Sequence, residues 1–348
     1  MASNAVIRTG LIGFGLSGRV FHEPFLRNNP AFELQVISTG NNERAATARS
    51  RGPYDIVGTP REVLERDLDL VVLASPASSH LEQGLAALRA GAALVIDKPF
   101  APSVADAEQL IAAAQDAGRT LHVFQNRRWD GDFLTVKKLV ESGRLGRVFR
   151  FESTFERFAG PVGERWQDTQ GPSDGAGITF DLGSHLVDQA LQLFGPAELT
   201  VAELASVRPG GSSEDDAFLA LRHTSGVTSH ITVSRAAAQS GPRFRVLGSE
   251  SAYTVYGLDN QEPALKLDEG PGHTGYGVTP FEEWGMLGGG TLGDDLTPYP
   301  TERGAYDAFY AGVAASILHG APVPVEPSSA LETLRILEEA HRRGAIAG

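Results

Sequence analysis

The sequence predicts an α/β protein: an N-terminal doubly wound parallel sheet, then a C-terminal α+β region built on an open, mostly antiparallel sheet. Three observations predict it. Strand-like and helix-like segments alternate through residues 5–126, the pattern of parallel strands joined by crossover helices. The first strand-like segment, AVIRTGLI, runs straight into GFGLSGRVFHE, with glycines at 13, 15 and 18. Beyond residue 126 several strand-like segments follow one another without helices between them, as in an antiparallel sheet.

Each element follows from local chemistry. AVIRTGLI (5–12) is apolar and short, a buried strand, and VFHEPFLRN reads as a helix in which Pro24 fits only near a first turn or a kink. FELQVIST (32–39) alternates and is β-rich. NNERAATARSRG reads as a helix stopped by Gly52. DLDLVVLAS (67–75) is almost continuously apolar and ends at Ser75-Pro76, as a central parallel strand should. SHLEQGLAALRAG (79–91) is an amphipathic helix with Gly91 past its end. AALVIDKP is a strand, 103–118 is a helix with Ser103 as N-cap, and TLHVFQN (120–126) is a further strand. In the second half, 127–146 opens as a loop and becomes an amphipathic helix, and RVFRFESTFERF (147–158) alternates as a strand. The Gly/Pro-rich stretch 159–177 reads as a binding loop, and 179–195 as a helix. Strands follow in ELTVAELASVR, DDAFLALRHT, VTSHITVSRA, PRFRVLGS and SAYTVYG; 257–304 reads as loop, and 306–320 and 328–344 as helices. The expected division is a first domain over 1–125 and a second over 126–348, whose last helix could pack back on the first.

Composition excludes several function classes. With no cysteine in 348 residues there is no disulfide, thiolate nucleophile or cysteine-ligated zinc. A formal charge of −13 argues against broad nucleic-acid or acidic-membrane binding. No apolar run reaches the ~18 residues of a membrane span, and MASNAVIRTG lacks the basic and apolar regions of a secretory signal. A cytoplasmic protein acting on a small molecule is the expectation.

The glycines follow a strand and open a helix in the first βα unit, the context in which GxGxxG cradles a dinucleotide pyrophosphate. Gly13 allows the turn, Gly15 the close approach of backbone to phosphate, and Gly18 the packing of helix on strand. The bland alternative is a glycine turn without a ligand. An NAD site wants an acidic residue at the tip of the second strand. Here Ser38-Thr39-Gly40-Asn41-Asn42 stand there, with Arg44 in the following helix, which suits the 2′-phosphate of NADP. The competing reading leaves Arg44 solvated, turns Glu43 inward onto a ribose and makes the cofactor NAD. Asp97-Lys98-Pro99 closes a parallel strand at its carboxyl end, where open α/β sheets bind ligands. A lysine there can bind a substrate hydroxyl, or it can be an ordinary solvated charge. Asp181 and His185 stand at i, i+4, where a carboxylate can fix the tautomer of a general-base imidazole; a plain surface pair has the same spacing. Two such ligands do not make a zinc site. Together these features read as a hydride-transfer site for a secondary alcohol.

In the order GxGxxG, Ser75-Pro76 with His80, Asp97-Lys98-Pro99 and Asp181-x-x-x-His185, the chain resembles the Gfo/Idh/MocA oxidoreductases along its whole length. The family's usual Glu-Lys-Pro stands here as Asp-Lys-Pro. QNRRWDGDFLTVKKL (125–139) and TFDLGSHLVDQALQLFG (179–195) resemble the subgroup of NADP-dependent scyllo-inositol dehydrogenases. The resemblance implies a Rossmann domain and a catalytic set of Lys98, Asp181 and His185, with His185 as acid/base. It implies that Phe14 and Ser17 join the glycines around the pyrophosphate, and that Ser75, Pro76 and His80 line the nucleotide. Asp97 joins Lys98 at the cofactor, and Asn126 and Arg127 lie near the nicotinamide. Arg157 and Trp166 are candidate substrate contacts, and Arg127, Arg128 and Arg157 together could meet a substrate phosphate. It further implies homodimers or homotetramers through the C-terminal sheet. A non-catalytic NAD(P)-binding regulator of the same fold is the alternative, although such a protein has no need of Lys98, Asp181 and His185 together.

Overall fold

The computed structural model describes residues 6–163, 166–289, 295–344 and 346–347, without the side chains of 166, 167, 346 and 347. Two compact units form. The first contains Met1–Asn126, Gln261–Tyr276 and Ala305–Leu331; the second contains Arg127–Asn260, Gly277–Gly304 and Glu332–Gly348. The chain changes unit close to the expected boundary, but the expected second domain is not contiguous. Two of its segments fold with the first unit instead.

The first unit begins with β1 (Ile7–Ile12), α1 (Glu23–Asn28), β2 (Phe32–Ser38), α2 (Asn42–Arg51), β3 (Asp55–Val57) and α3 (Pro60–Leu64). It continues with β4 (Leu70–Leu73), α4 (His80–Arg89), β5 (Ala93–Asp97), α5 (Val104–Asp116) and β6 (Leu121–Phe124). The six strands pair in parallel in the order β3-β2-β1-β4-β5-β6. The order reverses between β1 and β4, which opens a crevice at the carboxyl ends of those strands. Leu70–Leu73 and Leu94–Ile96 are buried throughout, as strands covered on both faces must be. Asn41 and Ser103 cap their helices by accepting from the backbone N–H of Arg44 and Asp106.

Sequence periodicity missed β3 and α3. β3 is three residues long, and its pairing with β2 supplies what its own sequence lacks. α3 is held at its start by a capping box between Thr59 and Glu62. The helix after the glycines also departs from expectation. Its Gly18–His22 turn is a π turn, closed by the Glu23 N–H on the Gly18 carbonyl. Pro24 follows immediately. A proline ring clashes with the carbonyl of residue i−4 in a regular helix, and the wider turn accommodates it.

The second unit holds α6 (Gly131–Glu141), β7 (Val148–Glu156), α7 (Trp166–Thr169), α8 (Ser184–Phe194), β8 (Ala197–Ala205), β9 (Asp216–His223), β10 (Thr228–Ser234), β11 (Phe244–Gly248) and β12 (Ala252–Val255). After the short α9 (Gln261–Lys266) of the first unit come β13 (Gly285–Gly288) and β14 (Thr297–Tyr299) of the second. Last come α10 (Asp307–His319), α11 (Pro327–Arg343) and β15 (Ile346–Ala347). Among the described residues the sheet runs β14-β13-β12-β11-β7-β10-β9-β8-β15, with antiparallel pairs except β7 with β10 and β8 with β15. The stretch expected as loop therefore contains α9, β13 and β14. Gly285–Gly288 carries no alternating β-branched residues, so only its pairing with β12 makes it a strand. No helix among the described residues is long and apolar enough to cross a membrane.

His122 on β6 sets a pH limit on the first unit. Its ring is fully buried, Nε2 lies 3.0 Å from Thr120 Oγ1, and Nδ1 has no hydrogen-bond partner. Burial pushes its pKa down to about 4. The unfolded chain therefore binds a proton below the ordinary histidine value of ~6.5 that the folded chain refuses. Stability is complete above that value and falls as pH drops toward 4, at up to roughly 1.4 kcal/mol per pH unit. Urea unfolding from pH 7 to 4.5 should show this slope, and His122→Gln should flatten it. An unchanged slope in the variant would assign the acid sensitivity elsewhere.

Candidate active site

In the first unit the glycine loop is shaped by what the missing side chains allow. Gly13 has φ 95°, and a Cβ there would lie 2.6 Å from the Ala74 carbonyl oxygen. A Cβ on Gly18 would lie 2.1 Å from the Gly13 carbonyl oxygen, so only glycine lets the helix start against the loop. A Cβ on Gly15 would meet only Arg44 Nη1, in ordinary contact at 3.8 Å. Arg44 thus reaches from α2 back to the middle glycine. At the tip of β2, Ser38 is buried beside the loop and its carbonyl accepts from the Gly13 N–H at 3.2 Å. Thr39 follows it, and the Thr39 hydroxyl accepts from the Asn41 N–H at 3.4 Å. Phe14 is a core side chain, so its backbone alone faces the loop.

Asp97 ends β5 and organises its neighbours. It accepts from the Ser17 hydroxyl and, at 2.8 Å, from the Lys98 N–H, while His22 Nε2 stands 3.8 Å away. Burial pushes the carboxyl up, but His22, Lys98 and Ser17 outweigh it and hold it below the usual carboxylate range. His22 is fully buried and its Nδ1 lies 2.7 Å from the Tyr310 hydroxyl. The Lys98–Pro99 peptide is cis. Ser75 Oγ donates to Gln83 Oε1 at 2.7 Å. His80 is buried, with Nε2 3.0 Å from the Ser75 carbonyl oxygen and Nδ1 3.2 Å from that of Phe100. A neutral ring donates to only one of them at a time, and burial holds its pKa down. His80 therefore ties the turns after β4 and β5 together, and Pro76 starts the short turn that leads to it. Asn126, the last residue of this unit's first segment, is buried.

In the second unit Asp181 lies in a π turn, Thr179–Gly183, that leads into α8, and His185 is the second residue of α8. Asp181 is half-buried and His185 buried. Thr179 anchors the turn by donating its N–H and hydroxyl to the buried Glu214 carboxylate at 3.1 and 2.6 Å. Gly177 is required there, since its Cβ would lie 2.3 Å from that carboxylate. Arg127 is buried, 3.2 Å from Asp130, with its guanidinium 4.9 Å over the Phe155 ring. Arg128 is taken up by Asp188 through two hydrogen bonds of 2.8 and 2.6 Å. Arg157 is exposed and also stacks over Phe155. Arg127 and Arg157 thus share the Phe155 ring, while Arg128 is engaged by Asp188. Trp166 opens α7, but its side chain lies outside the described residues.

The loop over 159–177 is held by charge. Arg208 donates to Asp168 at 3.0 Å and to Asp215 at 2.7 Å, all three buried. Sequence reading missed this group, and also His22, Tyr310, Gln83, Asp188, Gln189 and Arg243. His22, Asp188 and Gln189 fall inside motif-bearing stretches that give them no role, although Asp188 and Gln189 stand three and four residues beyond His185, on its helix face. Arg208→Met should lower stability by about 3 kcal/mol, because two carboxylates stay buried without that cation. It should also speed proteolysis within 159–177; a wild-type urea midpoint would overturn this.

Residues 7–125 match the oxidoreductase family with an NAD-binding Rossmann fold, and residues 133–254 match the GFO/IDH/MocA C-terminal domain. The chain is 38% identical to the oxidoreductase YdgJ of Escherichia coli, over 95% of this chain and 94% of that protein. It is 32% identical to scyllo-inositol 2-dehydrogenase (NADP(+)) IolW of Bacillus subtilis, over 96% and 92%. Among solved structures, the oxidoreductase yvaA of Bacillus subtilis superimposes with a TM-score of 0.90 at 30% identity, over 98% of this chain and 97% of that one. The chain belongs to the GFO/IDH/MocA family of NAD(P)-binding oxidoreductases.

Proposed function

We propose that this protein is a dehydrogenase that moves a hydride between one secondary hydroxyl of a sugar or cyclic polyol and a nicotinamide dinucleotide, with NADP preferred over NAD. The observation that carries the cofactor choice is Arg44 beside Gly15, at a β2 tip that offers Ser38 and Thr39 and no carboxylate. A carboxylate at that tip would repel a 2′-phosphate, whereas a guanidinium pairs with it. Gly15, met only by the Arg44 guanidinium, and the closely packed Gly13 and Gly18 fit a pyrophosphate. The Gly13–Gly18 backbone, including that of Phe14, would hold it with Ser17 and Ser75. Pro76 would line the same side, with Asn126 and Arg127 toward the nicotinamide. In a protein of charge −13 these local donors do the work that net charge opposes.

When bound, the nicotinamide supplies the hydride acceptor or donor. The chain supplies binding and a place for the proton. Lys98 at the end of β5 binds the reacting hydroxyl oxygen and stabilises negative charge on it. His185 takes the hydroxyl proton, and Asp181 holds the ring in the accepting tautomer. Arg157 and Trp166 are the proposed substrate contacts. A polyol or sugar substrate is supported by the likeness to scyllo-inositol 2-dehydrogenase and, at 33% identity over 74% of the chain, to D-apiose dehydrogenase of Paraburkholderia graminis. We read the protein as cytoplasmic and as a homodimer or homotetramer through the C-terminal sheet, whose Phe149 and Val201 are exposed.

Initial rates with NADP and NAD against inositols, glucose and xylose test the reading. Turnover with NADP and an inositol is the expected result; a strong NAD preference would overturn the Arg44 argument alone. Arg44→Ala should remove a charge-assisted contact of about 1.5–3 kcal/mol, raising KM for NADP roughly tenfold or more and leaving KM for NAD unchanged. Lys98→Met should cut turnover roughly 10²–10⁴-fold while calorimetry shows NADP binding retained. Wild-type turnover in Lys98→Met would end its catalytic assignment, and absence of turnover in the parent with NADP bound would favour a regulator.

A further inference from the structure

We infer that Arg128 is a positioning residue for the reaction: with Asp188 it locks the rotation and height of the helix that presents His185. The inference deepens the dehydrogenase reading and rests on it for the role of His185.

His185, Asp188 and Gln189 stand at i, i+3 and i+4 on α8, and so share one helix face. All three are buried. The two residues beyond His185 are bolted down from three directions. Asp188 takes both hydrogen bonds of the Arg128 fork. Gln189 donates its amide to the Arg127 carbonyl at 2.7 Å. Its oxygen accepts from Arg243 Nη2, also at 2.7 Å. Arg243 is itself fixed: Nη1 donates to Ser153 Oγ on β7 at 2.9 Å, Nε is 3.5 Å from Asp132, and the guanidinium lies 4.0 Å over the Phe244 ring. The RRWD segment is thus a bracket for α8, a use that its run of positive charge did not suggest.

Such a bracket matters because of what precedes α8. Thr179–Gly183 is a π turn with i→i+5 bonds in place of the i→i+4 bonds of α8, so the helical register changes just before His185. A slip of one residue along a helix moves a side chain about 1.5 Å and turns it roughly 100°. A displacement of ~1 Å at a reacting group can cost a hundredfold in rate. A bidentate guanidinium–carboxylate pair fixes angle as well as distance, which a lysine or an apolar contact cannot do. A pair kept only for stability would be replaceable by well-packed apolar side chains, often at no loss.

That difference supplies the test. The full-length double variant Arg128→Met with Asp188→Leu removes both charges, so no buried ion is left uncompensated. Its thermal midpoint, its calorimetric NADP affinity, its kcat and KM, and the ring resonances of labelled His185 are measured against the parent. The His185 signals are identified by their loss in His185→Gln. The expected result is a near-parental midpoint and NADP affinity, displaced His185 resonances, and a kcat lower by roughly ten- to a hundredfold with KM little changed. Parental His185 resonances and parental kcat in a folded double variant would overturn the inference. Should the double variant fail to fold, Arg128→Lys and Asp188→Asn serve with the same readouts, and parental values in both would overturn it equally. If the parent turns over no substrate, the dehydrogenase reading fails, and the His185 resonances alone still decide whether the pair positions that ring.

Discussion

The close approach of Gly18 to the Gly13 carbonyl is the constraint on which the first unit depends. A side chain at Gly18 would push the helix away from the loop, and one at Gly13 would strike the Ala74 carbonyl, by more than the packing could absorb. With the helix seated, its π turn delivers two consecutive polar residues, His22 and Glu23, into full burial. Each finds polar neighbours there. His22 meets Tyr310 and faces Asp97; Glu23 collects Arg27, Arg51 and the Tyr54 hydroxyl, with bonds of 2.7–2.8 Å. The glycines, the residue before Lys98 and the β2–α2 region are thereby one hydrogen-bonded assembly, so the loop's geometry is set before any ligand arrives.

The second unit is organised by buried charge instead. Arg243, Arg208, Arg128, Asp188 and Asp215 are all largely out of water, and each pairing must recover a desolvation cost of several kcal/mol. Apolar packing would have been at least as stabilising. What ionic pairs add is direction, because a guanidinium fork accepts its partner in one plane. They are found at Asp168 in the stretch 159–177 and along the face of α8 that carries His185, while at the turn before Asp181 the buried Glu214 carboxylate accepts from Thr179 instead. Burial pushes the Asp132 carboxyl up to about 6 despite the Arg243 guanidinium beside it, a measure of how dry this interior is.

Sequence by itself determined the alternation that makes the parallel sheet, because continuous apolar strands and capped amphipathic helices are local signals. It determined the glycine loop, since the steric demand falls on named positions, and it marked Lys98, Asp181 and His185 through their places at a strand end and along a helix. Tertiary structure alone decided the rest. β3, β13 and β14 are strands because a neighbour pairs with them, not through their own periodicity. The two π turns have no compositional signature, and the return of 261–276 and 305–331 to the first unit depends on which surfaces they cover. Tertiary structure also assigned the charges. Arg127, Arg128 and Arg157 look alike in sequence, yet one is buried against Phe155, one is spent on Asp188 and one meets the same Phe155 ring from an exposed position. A side chain's partner is a property of folded neighbours distant in sequence, and that is the information local chemistry does not hold.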